Sequence, residues 1–259
     1  MPFLQLPETR LHYELSGDAG APVLVLAHSL GVSLAMWQPL LSQLLAHFRV
    51  LRYDARGHGL SAIPNGPLTV ETLGLDVLAL LDAIRIPKAH FCGISMGGAV
   101  GQWLGIHAPA RLLKLVLANT SPRFGEAANW DARIDLVRRE GLAPVIAGTL
   151  ERWFTADFRI TSPDLVAQTR HSFEATDPRG YIACCAAVRD ADFRASAKKI
   201  HVPTLVIAGS HDPVSSPADG HFLASQIQAA EYIELPAAHL SSVEAPDAFA
   251  AVLLSFLLR

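Results

Sequence analysis

The sequence predicts an α/β protein: a mostly parallel sheet of eight strands flanked by helices, with one helical insertion. Three observations predict it. Short apolar runs alternate with stretches of helical spacing at both ends of the chain. Several runs, such as Val23 to Ala27 and Thr204 to Ala208, are apolar without alternation, as strands covered on both faces are. From Ser121 to about Lys199 the strand signal stops and helical spacing takes over. Residues 1–120 and 200–259 then form the core, and residues 121–199 a helical cap inserted into it.

Taken in order, Phe3 to Leu6 and Arg10 to Leu15 read as two short strands joined by a turn. Gly17-Asp18-Ala19-Gly20 is the next turn, and Val23 to Ala27 a central buried strand. After the loop His28-Ser29-Leu30-Gly31, a helix is expected from about Met36 to Ala46. Arg49 to Tyr53 is a strand running into the glycine-rich loop Asp54-Ala55-Arg56-Gly57-His58-Gly59. Leu73 to Ala83 has helical spacing through Leu75, Leu78 and Leu81. Ala89 to Cys92 and Leu112 to Ala118 are buried strands with a helix between them, carrying Val100, Trp103, Leu104 and His107. Beyond the insertion, strands are expected at Thr204 to Ala208 and Glu231 to Leu235, and a last helix from Pro246 to Leu258.

Composition narrows the function classes. The chain has 259 residues, 51% hydrophobic and 17% charged, which suits one globular domain with a large core. A net charge of −3 with no basic stripe argues against nucleic acid as a partner. No apolar run has the length a bilayer requires, so no membrane is expected. The start, Met-Pro-Phe-Leu-Gln-Leu-Pro-Glu, lacks a basic region followed by an apolar stretch, and cytoplasm is the expected location. Cys92, Cys184 and Cys185 form no metal or disulfide pattern and read as buried reduced thiols. No His-x-His or His-Glu-x-x-His spacing occurs, so neither a metal nor another cofactor is expected.

The chemistry is expected at Gly93-Ile94-Ser95-Met96-Gly97, which stands between a strand and a helix. A serine in that context sits on a sharp turn with its hydroxyl exposed and a helix N-terminus behind it. Serine hydroxyls are poor nucleophiles until an imidazole takes the proton, and the imidazole needs a carboxylate to fix its tautomer. Two further strand ends supply both: Gly209-Ser210-His211-Asp212-Pro213 and Pro236-Ala237-Ala238-His239-Leu240. Ser95 is therefore the candidate nucleophile, His239 the base and Asp212 the acid. Asp54 is a rival acid, but it precedes the serine and its Arg-Gly-His-Gly neighbours suggest a loop-tying role. Asn119 occupies another strand end and cannot act as a carboxylate. Negative charge developing on the substrate oxygen needs two N–H donors. Met96, next after the nucleophile, is one, and Leu30, with Ser29 as alternative, is the other.

These motifs, in this order, resemble the α/β-hydrolase fold, and more narrowly the 3-oxoadipate enol-lactonases. Leu51 to Gly59, His90 to Gly98, Leu117 to Thr120 and Val202 to Gly209 carry the broader likeness. Ala238 to Glu244 matches as well, and Arg152-Trp153-Phe154-Thr155 and Gly180-Tyr181-Ile182-Ala183-Cys184-Cys185, both in the insertion, carry the narrower one. His28 departs from it, since these lactonases are expected to have asparagine there. The resemblance implies a small-molecule lactone as partner, a cyclic ester that bears a carboxylate. A buried carboxylate without a partner loses several kcal/mol of solvation, so a cationic or strong-donor contact is expected in the cap. Arg133, one helical turn past Trp130, is the candidate, with Trp130 as pocket wall. Other hydrolases of this scaffold (a general carboxylesterase, a C–C bond hydrolase or a perhydrolase) and a non-catalytic ligand sensor are the alternatives.

Overall fold

The computed structural model describes residues 2–259, whose strands are β1 (Phe3–Gln5), β2 (Arg10–Ser16), β3 (Val23–Ala27), β4 (Arg49–Tyr53), β5 (Ala89–Ile94), β6 (Leu112–Ala118), β7 (Thr204–Gly209) and β8 (Glu231–Leu235). They join one sheet in the order β1-β2-β4-β3-β5-β6-β7-β8. β2 pairs antiparallel with β1 and β4, and every other pairing is parallel. Every residue of β3, β5 and β7 is buried, which explains why their sequences do not alternate apolar with polar residues.

Helices follow as α1 (Leu41–Leu44), α2 (Val70–Ala83) and α3 (Met96–His107). Between β6 and β7 come α4 (Ala127–Glu140), α5 (Ala143–Trp153), α6 (Ala156–Thr161), α7 (Pro163–Glu174) and α8 (Pro178–Asp190). The chain ends with α9 (Pro217–Gln226), α10 (Ser241–Glu244) and α11 (Pro246–Leu257). α3 packs on β3, β5 and β6 with α2 beside it, and α9 on β7 and β8; α1, α10 and α11 gather around a 3-10 helix at Leu34–Leu40. No helix among the described residues is long and apolar enough to cross a membrane.

Two expectations need correction. The helix expected over Met36 to Ala46 is a 3-10 helix, Leu34–Leu40, followed by the single turn of α1. Pro39 lies inside it, and a proline ring removes an N–H and clashes with the carbonyl one turn back, so a continuous α-helix is excluded. Leu75, counted in the apolar spacing of Leu73 to Ala83, is exposed. The buried stripe is Leu73, Val77, Leu80 and Leu81, and α2 starts earlier, where Thr69 Oγ1 accepts from the Thr72 N–H at 3.1 Å.

This topology locates the site. From β3 the chain moves to one side, to β4, and from β5 to the other, to β6. The loops leaving β3 and β5 therefore diverge, opening the crevice in which open α/β sheets bind ligands. Those two loops carry Leu30 and Ser95.

Candidate active site

Ser95 is the N-cap of α3, with φ +56° and ψ −114°, a conformation few non-glycine residues adopt. Its backbone is held on both sides. The N–H donates to Ala118 O at 3.1 Å, and the carbonyl accepts from the Ala99 N–H and from Thr120 Oγ1, each at 2.9 Å. The flanking glycines are needed for close approach. A Cβ on Gly93 would lie 2.1 Å from Gly97 O, and one on Gly97 2.2 Å from Ala27 O.

Asp212 follows β7 and His239 follows β8, and both are buried. His239 Nδ1 lies 2.8 Å from Asp212 Oδ2. A carboxylate only accepts, so the proton sits on Nδ1 and leaves Nε2 free to act as a base. Asp212 is held by four further donors: the Val214 and Ser215 N–H groups on Oδ1, and Ser215 Oγ and Asn119 Nδ2 on Oδ2. Burial alone would push its pKa up, but His239 and the backbone donors outweigh that and hold it below the usual carboxylate value.

The loop after β3 is braced by two histidines. The Ala55 N–H donates to His28 Nε2 at 2.9 Å, so the His28 proton is on Nδ1 and donates to Ser29 O at 2.7 Å. The Gly31 N–H donates to His58 Nε2 at 2.9 Å. Burial lowers the pKa of both rings, that of His58 to about 3, and both are neutral. The Ser29 N–H points to Met36 Sδ at 3.4 Å. Between these engaged neighbours, the Leu30 N–H has no protein acceptor among the described residues. As the first N–H of α3, Met96 likewise has no partner within its helix. His28, where asparagine was expected, thus ties this loop to the Asp54–Gly59 loop. Asp54 ties loops too, accepting from His12 Nδ1 and from the Leu34 and Leu60 N–H groups.

Ser95, His239, Leu30, Trp130 and Arg133 all line one cavity of about 140 Å³. Trp130 is fixed by its Nε1–H, which donates to Phe124 O at 2.6 Å. Arg133 donates from Nε to the Tyr181 hydroxyl at 2.7 Å and from Nη2 to Thr149 Oγ1 at 2.6 Å. Cys92, Cys184 and Cys185 are free and buried, and burial pushes all three thiols up, Cys185 to about 12. None is therefore a nucleophile at neutral pH. Among the described residues, no group of three or more His, Cys, Asp or Glu side chains is placed to hold a metal ion.

Sequence reasoning missed several wall and support residues. Thr149, Arg152, Trp153 and Tyr181 line the cavity, and Asn119 and Ser215 hold the carboxylate. Arg152, Trp153 and Tyr181 stand in the segments that carried the narrower resemblance, which was the available signal. Glu244, in another matching segment, receives the Thr155 N–H and hydroxyl and the Ala238 N–H. It thereby links the end of α5 to the turn before His239.

Comparison with known proteins shows the family. A family model described as the alpha/beta hydrolase fold matches residues 22–246. Over 246 residues the chain is 44% identical to 3-oxoadipate enol-lactonase 2 of Acinetobacter baylyi, covering 95% of this chain and 92% of that one. It is 40% identical to 3-oxoadipate enol-lactonase 1 of the same organism, with the same coverage. The crystal structure of the enol-lactonase from Burkholderia xenovorans LB400 superposes with a TM-score of 0.98 at 43% identity, over 100% of both chains. The likeness runs through the sheet, the loops that leave it and the helices between β6 and β7, and the chain belongs to the alpha/beta hydrolase fold family.

Proposed function

We propose that the protein is a carboxylic ester hydrolase that opens a small anionic lactone, 3-oxoadipate enol-lactone, to 3-oxoadipate through an acyl-enzyme on Ser95. On this reading the reaction is a step in the catabolism of aromatic compounds. The observation that carries the reading is the shared cavity: Ser95 and His239 line the same cavity as Arg133, whose guanidinium has no carboxylate partner among the described residues. The names of the relatives, covering nearly the whole chain, support the choice of substrate.

In the proposed reaction, Ser95 Oγ attacks the lactone carbonyl while His239 Nε2 takes its proton. Asp212 holds the imidazole tautomer and stabilises the imidazolium. The tetrahedral oxyanion receives the Leu30 and Met96 N–H groups, each worth roughly 10²- to 10³-fold in rate where measured elsewhere. Collapse breaks the ring C–O bond, His239 returns the proton to the departing enol oxygen and is neutral again, and the enol ketonises afterwards. Because the substrate is cyclic, the leaving group stays attached to the acyl chain. Water, activated by His239, then attacks the acyl carbonyl and releases the diacid from Ser95. Arg133 binds the substrate carboxylate, Trp130 walls the ring, and the helical segment 121–199 serves as the cap over the site.

Steady-state kinetics on freshly generated enol-lactone, compared with simple neutral esters, test this reading. A kcat/KM for the lactone far above that for p-nitrophenyl acetate is expected. Equal or poorer turnover of the lactone points instead to a general carboxylesterase.

A further inference from the structure

Arg152, one helical turn past Thr149 on α5, lines the same cavity as Ser95. Its Nη2 donates to Thr149 Oγ1 at 3.3 Å, the oxygen to which Arg133 Nη2 also donates. The Thr149 hydroxyl hydrogen is already given to Val145 O at 2.7 Å, so its two lone pairs take the two guanidiniums side by side. Two like charges are thus drawn to one atom. No ion pair among the described residues involves either arginine. A guanidinium carries five N–H donors, and the three named bonds leave most of the ten without a protein acceptor.

The surroundings do not cancel this charge. Tyr181, on the other side of Arg133, stays a neutral phenol, since burial pushes its pKa up. Burial and the field of Arg133 lower the pKa of Arg152, opposed by its exposed chain neighbour Glu151. Neighbouring guanidiniums that lack a carboxylate are the arrangement that planar oxyanions fit by paired N–H···O bonds.

The geometry points to Arg152 as the second half of a two-arginine anion site, in which it and Arg133 together take the substrate carboxylate. The same pair then accepts a terminal carboxylate of an open aliphatic dicarboxylate. This deepens the lactonase reading and rests on it for the identity of the substrate, though the site itself is testable without the lactone.

The experiment is inhibition by adipate of p-nitrophenyl acetate hydrolysis, for wild type, Arg152→Met, Arg133→Met and Arg152→Lys. Each inhibition constant is read against the variant's own uninhibited rate, so changes in the chemical step divide out. Competitive inhibition of the wild type is expected, with the constant raised at least tenfold by Arg152→Met and by Arg133→Met. Arg152→Lys, which keeps the charge but loses the planar fork, is expected to recover part of the loss and to show that folding is not its cause. A rise smaller than tenfold in Arg152→Met, or a wild type indifferent to adipate, overturns the proposal. An enzyme that shows the adipate pattern yet leaves the enol-lactone untouched retains the anion site and loses only the lactonase reading.

Discussion

The Asn119 carboxamide, at the tip of β6, donates to Asp212 Oδ2 at the tip of β7, at 3.1 Å, and to Ala238 O at 3.0 Å. One side chain thus aligns the acid with the turn that carries His239. Its backbone φ of +41° suits asparagine better than most residues.

Asn119→Gly removes the amide and tolerates that backbone conformation. A hydrogen bond to a charged group is worth about 1.5–3 kcal/mol, so kcat is expected to fall roughly 10- to 100-fold. KM for the lactone is expected to change far less. A rise in KM at constant kcat would assign Asn119 to the pocket rather than to the acid.

Arg133→Met deletes a cation that touches no carboxylate among the described residues. The ratio of kcat/KM for the anionic lactone to that for p-nitrophenyl acetate is expected to drop at least tenfold. Equal losses on both esters would remove Arg133 from carboxylate binding.

Gly180, in the first turn of α8, lies directly against Gly57, so that a Cβ on Gly180 would lie 2.3 Å from Gly57 O. Backbone cannot yield as a flexible side chain does. Gly180→Ala is expected to destabilise the fold by about 1–3 kcal/mol, the usual range for overpacking. It should also lower kcat, because Gly57 adjoins His58, which braces the Leu30 loop. Urea unfolding and lactone kinetics check both effects, and wild-type values for both would contradict the contact.

His58 is neutral in the fold until about pH 3, whereas in the unfolded chain it takes up a proton near its ordinary value of 6.5. Between those values protons favour the unfolded chain. Stability present above pH 6.5 is therefore lost as the pH falls, by about 1.4 kcal/mol per pH unit for this ring. His28, lowered in the same direction, adds to the loss. His58→Gln keeps an acceptor for the Gly31 N–H but does not titrate. Its unfolding free energy is expected to fall less steeply between pH 4 and 6, by about one proton. An unchanged slope would show that His58 is protonated in the native state.

The sheet and the three strand tips were legible in the sequence because their signals are local. Apolar runs such as Val23 to Ala27 end at turn residues, and Ser95, Asp212 and His239 each stand just past such an end. Pro39 was equally local, and its effect on the helix expected over Met36 to Ala46 could have been read from the proline rule alone. Asn119 and Ser215 were not legible as carboxylate supports. Their partner lies 93 residues away from Asn119, and Ser215 needs the turn after β7 to fold back on Asp212. Arg152 stood in a motif already singled out, yet only the angle of α5 shows that it faces the cavity. Side-chain direction on a helix depends on what the helix packs against, and residue spacing alone does not contain that.

Turnover of freshly generated enol-lactone by the wild type and by Ser95→Ala tests most directly whether one hydroxyl, imidazole and carboxylate do the chemistry. Rapid turnover by the wild type is expected, with a loss in kcat of at least about 10⁴-fold in the variant. A Ser95→Ala protein that hydrolyses the lactone within tenfold of the wild-type rate would contradict nucleophilic catalysis at Ser95.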